Sequence, residues 1–208
     1  MSLIRTMSAR PAREVVVPPP LSARVVTERL VLRPPRPADV PAMRNALRKN
    51  ADHLRPWSAA PAPGEDAASL TSVSRAVLRQ RREWKTGLAY VFLVAPREDD
   101  RRVIGRLALG GVLRGVFQSA YLGYWMDGAC QGRGLMTEAV RAGTQFAFTA
   151  AGLHRVQAAV MPRNGASLRV MEKAGYRREG LAERYLCIGG KWEDHVLFAV
   201  TAEEWGGP

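Results

Sequence analysis

Three extended runs follow one another between residues 88 and 127 of this chain. They read LAYVFLVAP, RVIGRLALGGVL and VFQSAYLGYWMD, and the turn-forming segments REDD and Arg114-Gly115 separate them. Consecutive strands joined by short turns pair in antiparallel fashion, whereas parallel strands need a crossover connection, usually a helix. The three runs therefore predict an antiparallel meander, and they argue against a doubly wound sheet or a barrel of alternating strands and helices.

Helices and single strands flank this meander on both sides. On the N-terminal side, residues 24–33 alternate as a strand, and two helices and a longer amphipathic helix follow, the last ending near Trp84. On the C-terminal side, helices are expected at 137–151 and 164–173 and strands at 154–162, 181–188 and 192–200. The order predicts an α+β fold with one mixed central sheet of about seven strands flanked by helices.

The 208 residues suffice for one domain of ordinary size. Eleven of the 14 prolines precede residue 64, and residues 1–22 show no sustained apolar periodicity. We therefore expect a flexible N-terminal tail over residues 1–22 and a single domain over residues 23–208. Because no apolar run reaches the ~18 residues of a membrane span and no signal-peptide core is recognisable, we expect a cytoplasmic protein that does not enter a membrane.

The formal net charge of +12 comes mainly from arginine, since only four of the 31 basic residues are lysines. Arginine suits phosphate and carboxylate groups, so this charge favours a polyanionic partner such as a phosphorylated cofactor, a ribosome or a nucleic acid. The two cysteines, Cys130 and Cys187, form neither a CxxC pair nor a disulfide framework. We therefore expect two free thiols and no metal site.

A glycine-bearing loop, Gln131 to Met136, follows the third extended run. A helix is expected to begin near Gly134, and the free backbone N–H groups at such a helix start bind phosphate. The two glycines allow the main chain to approach a diphosphate closely, and Arg133 adds positive charge. Because such a loop is often a simple connection, its interpretation depends on a second block, Asn164-Gly165-Ala166-Ser167, which precedes the next helix.

Together the two blocks resemble the GNAT acetyltransferase superfamily, through Q-x-x-G-x-x before one helix and N-x-x-S-(x)7-G-Y around the next. The resemblance extends to the RimJ/RimL-type N-terminal acetyltransferases of ribosomal proteins and covers roughly residues 25–205. The matching segments are TERLVLR at 27–33, NADHLRPW at 50–57, YLGYWMDGACQGRGLMTEAV at 121–140, HRVQAAVMPRNGAS at 154–167 and GKWEDHVLFAVTAEEW at 190–205. This resemblance implies a GNAT-like single domain that transfers acetyl directly from acetyl-CoA to the N-terminal α-amine of a protein, possible acceptors including a ribosomal protein.

The resemblance also implies where acetyl-CoA binds. The strand ending at Met126 would bond the pantetheine arm, with the Met126 N–H near the thioester oxygen, where it would stabilise developing negative charge. Asn164 would bond the same arm, and Ser167 would face the sulfur. The residues expected to bind acetyl-CoA are Tyr124, Trp125, Met126, Gln131, Gly132, Arg133, Gly134, Leu135, Met136, Thr137, Asn164 and Ser167.

Two positions depart from the commonest family pattern. Met136 stands where glycine or alanine is usual, although contacts made through the backbone should survive this change. Met171 stands where many relatives have a tyrosine that donates a proton to the leaving thiolate, so that role passes to Ser167 or to no residue. A thiol of pKa ~8.5 leaves readily as thiolate, and a dedicated acid is therefore helpful rather than essential.

Five residues are candidates for the acceptor side. Asn50 and Trp57 lie where the first helices of the family wall the peptide groove, although core packing explains the tryptophan equally well. Tyr185, Asp194 and His195 lie on the last two strands, where alternation puts Asp194 and His195 on opposite faces. His195 is either a proton acceptor or a structural histidine, and Tyr185 either lines the cleft or packs. Asn164 and Ser167 complete the catalytic candidates.

Other functions remain open from the sequence. One alternative is an acetyltransferase for a small amine, an antibiotic or a toxic peptide. Another, motivated by the +12 charge and Met171, is a non-catalytic ribosome- or RNA-binding protein, although aromatic and basic residues do not interleave as in a single-strand binding surface. Within the enzyme class, an acetyl-cysteine intermediate on Cys130 is the alternative to direct transfer, which the family resemblance favours.

Overall fold

The computed structural model describes residues 17–60, 62 and 64–207. The strands in this part of the chain are β1 (Val25–Val26), β2 (Leu30–Arg33), β3 (Tyr90–Pro96), β4 (Gly105–Leu113), β5 (Ser119–Met126), β6 (Arg155–Val160), β7 (Arg177–Ile188) and β8 (Lys191–Thr201). The α-helices are α1 (Val40–Lys49), α2 (Ala51–Leu54), α3 (Leu70–Lys85), α4 (Leu135–Thr149) and α5 (Gly165–Lys173). Short 3-10 helices cover Pro37–Asp39, Arg55–Trp57 and Gly128–Cys130.

All these strands form one sheet in the order β1-β2-β3-β4-β5-β6-β8-β7. Every neighbouring pair is antiparallel except β5 and β6, which are parallel and are connected through α4. The α+β class, the mixed sheet and the antiparallel meander β3-β4-β5 are confirmed. The sheet has eight strands rather than about seven because the strand expected over 24–33 is broken by a turn. At this turn the Thr27 N–H donates to the Leu30 carbonyl oxygen over 2.9 Å, and β1 folds back onto β2.

The parallel pair β5 and β6 separates towards its C-terminal ends. Its register runs from Ser119 opposite Arg155 to Tyr121 opposite Gln157, whereas β5 continues to Met126. A gap therefore opens between the ends of the two strands, at the centre of the sheet. The loop before α4 follows the end of β5, and the start of α5 follows β6, so both sequence blocks lie at this gap.

Two hydrophobic clusters cover the two faces of the sheet. Phe92 belongs to the larger cluster, where its ring meets those of Trp84 and Phe146 at 5.0 and 4.9 Å. The adjacent Leu93 belongs to the smaller cluster, with Val77 of α3 and other residues of α1 and α3. Successive side chains of a strand point to opposite faces, so the apolar run of β3 is buried on both sides.

The N-terminal segment contacts the domain from residue 18 onwards. The indole N–H of Trp84 donates to the Pro19 carbonyl oxygen over 2.6 Å, and Leu21 packs against the larger cluster. Residues 1–16, which make up most of the expected tail, lie outside the described residues. The boundary between tail and domain therefore stays a prediction.

The expected helices and strands are present, with ends shifted by a few residues. Helix α4 begins at Leu135 rather than 137 because Gly134, at φ +75°, serves as its N-cap. Strand β7 begins at Arg177, before the expected 181, and extends the sheet edge next to β8. In the described part of the chain, the helices are all too short or too polar to cross a membrane.

Candidate active site at the gap between β5 and β6

The loop before α4 is open, and two glycines shape it. Gly132 and Gly134 have φ values of +73° and +75°, in the left-handed region that favours glycine. A Cβ atom at Gly132 would meet no heavy atom within 4 Å, and the side chain of Arg133 is exposed. Met136 is buried in the larger cluster, so its bulk lies away from the loop. An open helix start of this kind fits a diphosphate group.

Helix α1 holds the beginning of this loop. Asn50 Oδ1 accepts the Gly128 N–H over 2.9 Å, and its Nδ2 donates to the Ala46 carbonyl oxygen over 2.9 Å. Lys49 Nζ lies 2.8 Å from the Asp127 carboxylate. Burial raises the pKa of Asp127, but hydrogen bonds, that from Lys49 foremost, outweigh it and lower the pKa. Asn50, expected in the substrate cleft, is instead buried and anchors the loop to α1.

The free edge of β5 faces the gap. The Asp127 N–H donates to the Ile104 carbonyl oxygen over 2.7 Å, on the side of β4. Backbone groups alternate in direction along a strand, so the N–H groups of Tyr124 and Met126 point away from β4 and into the gap. The side chains of Trp125 and Met126 pack in the two hydrophobic clusters. Met126 can therefore meet a ligand in the gap through its backbone, as the resemblance implies, whereas the Trp125 backbone faces Arg106 of β4.

Tyr124 and Ser167 bridge the gap. The phenol oxygen of Tyr124 lies 2.6 Å from Ser167 Oγ, while Asn164 Oδ1 accepts the Ser167 N–H over 3.1 Å and caps α5. Burial raises the pKa of Tyr124 to about 12, although its hydrogen bond with Ser167 opposes this rise. The phenol is therefore protonated near neutral pH. Met171 is fully buried in the core.

The hydroxyl of Tyr124 is a candidate functional group of the site that the sequence pattern does not reveal. The resemblance assigned Tyr124 a backbone contact only, because nothing in its spacing indicates that its ring reaches α5. The contact depends on the separation of β5 from β6, which is a property of the folded sheet.

A bulge in β7 presents Tyr185 to His195. The register with β8 shifts between Ala182 and Leu186, and within the bulge Arg184 has φ +48°. Asp194 Oδ1 accepts the Arg184 N–H over 2.8 Å and so stabilises this conformation. The Tyr185 ring then lies 5.8 Å from the His195 ring, centroid to centroid, at an angle of 60°. Asp194 thus holds the bulge that carries Tyr185.

His195 is buried, and its tautomer follows from its hydrogen bond. Nδ1 lies 2.9 Å from the Glu193 carbonyl oxygen. A carbonyl oxygen can only accept, so Nδ1 carries the hydrogen, and in the neutral ring Nε2 keeps its lone pair. Of the sequence candidates, Tyr124, Asn164 and Ser167 are joined by hydrogen bonds, whereas Tyr185, Asp194 and His195 form a second group on β7 and β8.

Trp57 is held against the β7–β8 hairpin by Arg163, a residue that the sequence interpretation did not select. The guanidinium carbon of Arg163 lies 5.0 Å from the centre of the Trp57 ring. Its Nη2 donates to Glu193 Oε1 over 2.9 Å and to the Pro56 carbonyl oxygen over 3.3 Å. The position of Arg163 directly before Asn164 was the only available signal. This arginine links the wall around Trp57 to the start of α5.

Both cysteines are free thiols. Cys130 is buried in the larger cluster, and Cys187 is exposed on β7. Among the residues of the described ranges, no three His, Cys, Asp or Glu side chains are grouped so that they could hold a metal ion. The buried Cys130 thiol offers no open nucleophile to an acyl group.

Comparison with known proteins gives a family match over most of the chain. The family model for the acetyltransferase (GNAT) domain matches residues 29–177. The [ribosomal protein uS5]-alanine N-acetyltransferase of Escherichia coli is 34% identical over 184 residues, which are 88% of this chain and 92% of that protein. The probable N-acetyltransferase YjcK of Bacillus subtilis is 47% identical over 111 residues, and this match spans only 61% of that protein.

A solved structure supports the same relationship. RimJ of Mycobacterium smegmatis, in complex with CoA-disulfide, superposes with a TM-score of 0.78 at 36% sequence identity. The match covers 85% of this chain and 84% of that chain. The family match over residues 29–177 includes the end of β5, the loop before α4 and the start of α5.

Proposed function

Because the chain belongs to the GNAT family of N-acetyltransferases, we propose that it transfers acetyl from acetyl-CoA to the α-amine at the N-terminus of a protein. A ribosomal protein is the proposed acceptor. One observation carries this proposal: the chain is 34% identical, over 92% of the relative's length, to an enzyme named for acetylating the alanine of a ribosomal protein. The geometry of the gap supports the chemistry.

The donor substrate fits the gap and the loop together. The exposed helix start from Gln131 to Gly134 would hold the diphosphate, and Arg133 would add a positive charge. The free N–H groups of Tyr124 and Met126 would bond the pantetheine arm and the acetyl oxygen. Acetyl-CoA supplies an activated thioester, and the chain's own residues orient it and stabilise developing charge.

The Tyr124–Ser167 pair is the proposed proton donor for the leaving sulfur. Ser167 lies at the start of α5, where the resemblance places the sulfur, and Tyr124 supplies a protonated phenol 2.6 Å from the Ser167 hydroxyl. The Tyr124 phenol thereby supplies the tyrosine hydroxyl that is missing at position 171, where this chain has methionine. Because a CoA thiol leaves readily, the pair needs to contribute only a modest part of the rate.

His195 is the proposed proton acceptor on the other side of the gap. Its Nδ1–H is bonded to the Glu193 carbonyl oxygen, so Nε2 of the neutral ring keeps its lone pair, and because the ring is buried an ordered water would relay the proton to it. An α-amine has a pKa of ~7.7–8.0, and its deprotonation at pH 7 costs about 1 kcal/mol, against about 4–5 kcal/mol for a lysine. A weak base suffices for an α-amine, and this favours a protein N-terminus over a lysine side chain as acceptor.

The acceptor peptide is proposed to lie between the Trp57 wall and the β7–β8 hairpin. Arg163 fixes the Trp57 ring, and Asp194 fixes the bulge that presents Tyr185. Both rings could contact an extended N-terminal segment, since aromatic side chains provide a large contact area at low entropic cost. The net charge of +12 also favours a polyanionic partner. The proposal therefore includes an association with the ribosome or its RNA.

A substrate panel tests the proposed function. The full chain is incubated with acetyl-CoA and with peptides that differ in their first residue, and intact-mass spectrometry detects a gain of one acetyl group. Aminoglycosides, polyamines and aminoacyl nucleotides form the second arm. We expect acetylation of peptides beginning with alanine or serine. Acetylation of the small amines alone would replace the proposal with the small-amine alternative.

RNA binding is measured in parallel as a separate property. Salt-dependent RNA binding with no acetyl transfer to any amine, and with no CoA binding by calorimetry, would support the non-catalytic alternative. A chain that binds CoA and acetylates peptides excludes it.

A further inference from the structure

The turn between β1 and β2 is bonded to the first turn of α4. Thr27 Oγ1 donates to Glu138 Oε1 over 2.6 Å, and the Arg29 backbone N–H donates to the same oxygen over 3.0 Å. Arg29 Nε donates to Glu138 Oε2 over 2.7 Å. One carboxylate on α4 therefore accepts hydrogen bonds from both the backbone and the side chains of the turn.

The same arginine reaches the loop itself. Arg29 Nη1 donates to the Arg133 carbonyl oxygen over 2.9 Å, between the two glycines of positive φ. A Cβ atom at Gly134 would lie 3.7 Å from Arg29 Nη2. One guanidinium group thus contacts the loop and the helix that the loop precedes, although it is more than 100 residues away along the chain.

A loop of this composition needs external support. Glycine loses more conformational freedom on ordering than other residues, and the two glycines here adopt left-handed conformations, Gly132 with open space at its Cβ position. Asn50 holds the loop at Gly128, and Arg29 holds it at Arg133. Between these anchors Cys130 is buried and Gln131 Nε2 lies 3.1 Å from His53 Nε2, which leaves Gly132 as the open position. A loop ordered before the ligand arrives binds it with less loss of entropy.

Arg29 acts on the loop, and its own donors are already engaged. Nε and Nη2 face Glu138, and Nη1 faces the Arg133 carbonyl oxygen. Burial raises the pKa of Glu138, but hydrogen bonds from Thr27 and Arg29 outweigh burial and lower the pKa. The pair is therefore ionised near neutral pH, and its charges are mutually compensated. Arg133 and the backbone N–H groups remain free to meet phosphate.

We propose that Arg29 and Glu138 form a latch that orders residues 131–134 for the diphosphate of the acetyl donor. Both are positioning residues: they set the affinity for the donor, whereas the transfer step depends on other residues. This inference rests on the proposed function through the assignment of the loop to the diphosphate.

Calorimetric titration with CoA tests the latch. In Arg29→Ala and Glu138→Gln we expect the Kd for CoA to rise about 10-fold, a change of the size that loss of one charge-assisted contact produces. Arg24→Ala is the matched control, because Arg24 lies in the same segment, is similarly exposed (42% against 47%) and pairs with Asp100 instead of α4. The control should bind CoA like the wild type.

A donor without a diphosphate separates the latch from a general loss of structure. With a peptide acceptor, Arg29→Ala should lower kcat/KM for acetyl-CoA about 10-fold and leave kcat/KM for S-acetylpantetheine unchanged. An equal loss with both donors, or an unchanged Kd for CoA, overturns the latch.

Two further results keep the test decisive. Arg29→Lys retains the charge but lacks the forked geometry, so it replaces Arg29→Ala if the alanine variant does not fold, and it should show an intermediate Kd for CoA. If no peptide is acetylated at all, the proposed function fails, yet the CoA titration still decides whether the latch orders the loop.

Discussion

The phenol oxygen of Tyr124 on β5 lies 2.6 Å from the Oγ of Ser167 on α5, across the gap where the central parallel strands separate. The pair places a protonated hydroxyl network where the resemblance puts the sulfur of the donor. It compensates for Met171, whose side chain is buried in the core and has no proton to give.

Tyr124→Phe removes the phenol oxygen and should lower kcat about 10-fold while leaving the KM for acetyl-CoA nearly unchanged, because a thiol is a good leaving group even without an acid. Ser167→Ala should have a similar effect. Since the two hydroxyls act as one unit, the double variant should be scarcely slower than the slower single variant. Steady-state kinetics of the four proteins measures this, and fully additive losses would contradict it.

Gly132→Ala should weaken CoA binding about 10-fold, because alanine at φ +73° costs roughly 1–2 kcal/mol and shifts the loop. Gly175→Ala is the matched control. Gly175 has φ +85° and similarly open surroundings, but it ends α5 away from the loop. Both variants should lose similar thermal stability, and only the first should lose affinity for CoA in calorimetry. Equal affinities would remove the loop from the donor site.

His195→Asn keeps a donor for the Glu193 carbonyl oxygen but lacks a basic nitrogen. At pH 7 we expect kcat to fall about 10-fold with a peptide acceptor, because about 1 kcal/mol is needed to deprotonate the α-amine. The loss should shrink as the pH rises above about 8, where the α-amine is already neutral. The pH profiles of kcat for wild type and variant measure this. A ratio that stays constant from pH 7 to 9 would make His195 purely structural.

Arg33 and Asp39 form a buried ion pair, with nitrogen–oxygen distances of 2.7 and 2.8 Å. Burial raises the pKa of Asp39, but bonds from Arg33 and the Arg36 N–H outweigh it and lower the pKa. Asp39→Asn should reduce the free energy of unfolding by about 3 kcal/mol, since it leaves the buried Arg33 charge with only the longer ion pair to Asp100, at 3.8 Å. Denaturant unfolding measures this.

The same pair predicts a pH dependence. Because the folded-state pKa of Asp39 lies below the unfolded value of about 3.9, the stabilisation is present above that pH and is lost as the pH falls through the folded-state pKa. The stability difference between wild type and Asp39→Asn should therefore shrink below about pH 4. Asp52→Asn, which alters an exposed pair with Arg55, is the control and should change little at any pH.

Local patterns predicted much of the fold. The meander, the helix after Gly134 and the start of α5 near Asn164 all follow from alternation and glycine placement, which act within a few residues. The turn at Thr27 escaped prediction because the alternation continues through it, and its hydrogen bonds depend on contact with α4.

The sequence predicted only those parts of the site that would contact the ligand through backbone groups. The donor loop and the end of β5 were visible as a motif, whereas Arg29, Arg163 and the Tyr124 hydroxyl act through side chains that meet partners distant in sequence. Asn50 was predicted to lie in the substrate cleft, but its side-chain amide forms hydrogen bonds with the backbone of Gly128 and Ala46. Such roles depend on packing geometry, which periodicity does not contain.

The central claim is the transfer of acetyl to an α-amine, and one pair of peptides tests it most directly. The first peptide begins with a free alanine and has arginine in place of every lysine; the second has the same sequence with a blocked N-terminus and one lysine. After incubation with acetyl-CoA, tandem mass spectrometry locates the added acetyl group. We predict acetylation of the first peptide at its N-terminus and none of the second. Modification of the lysine alone, or of neither peptide at any concentration or pH, would contradict the account.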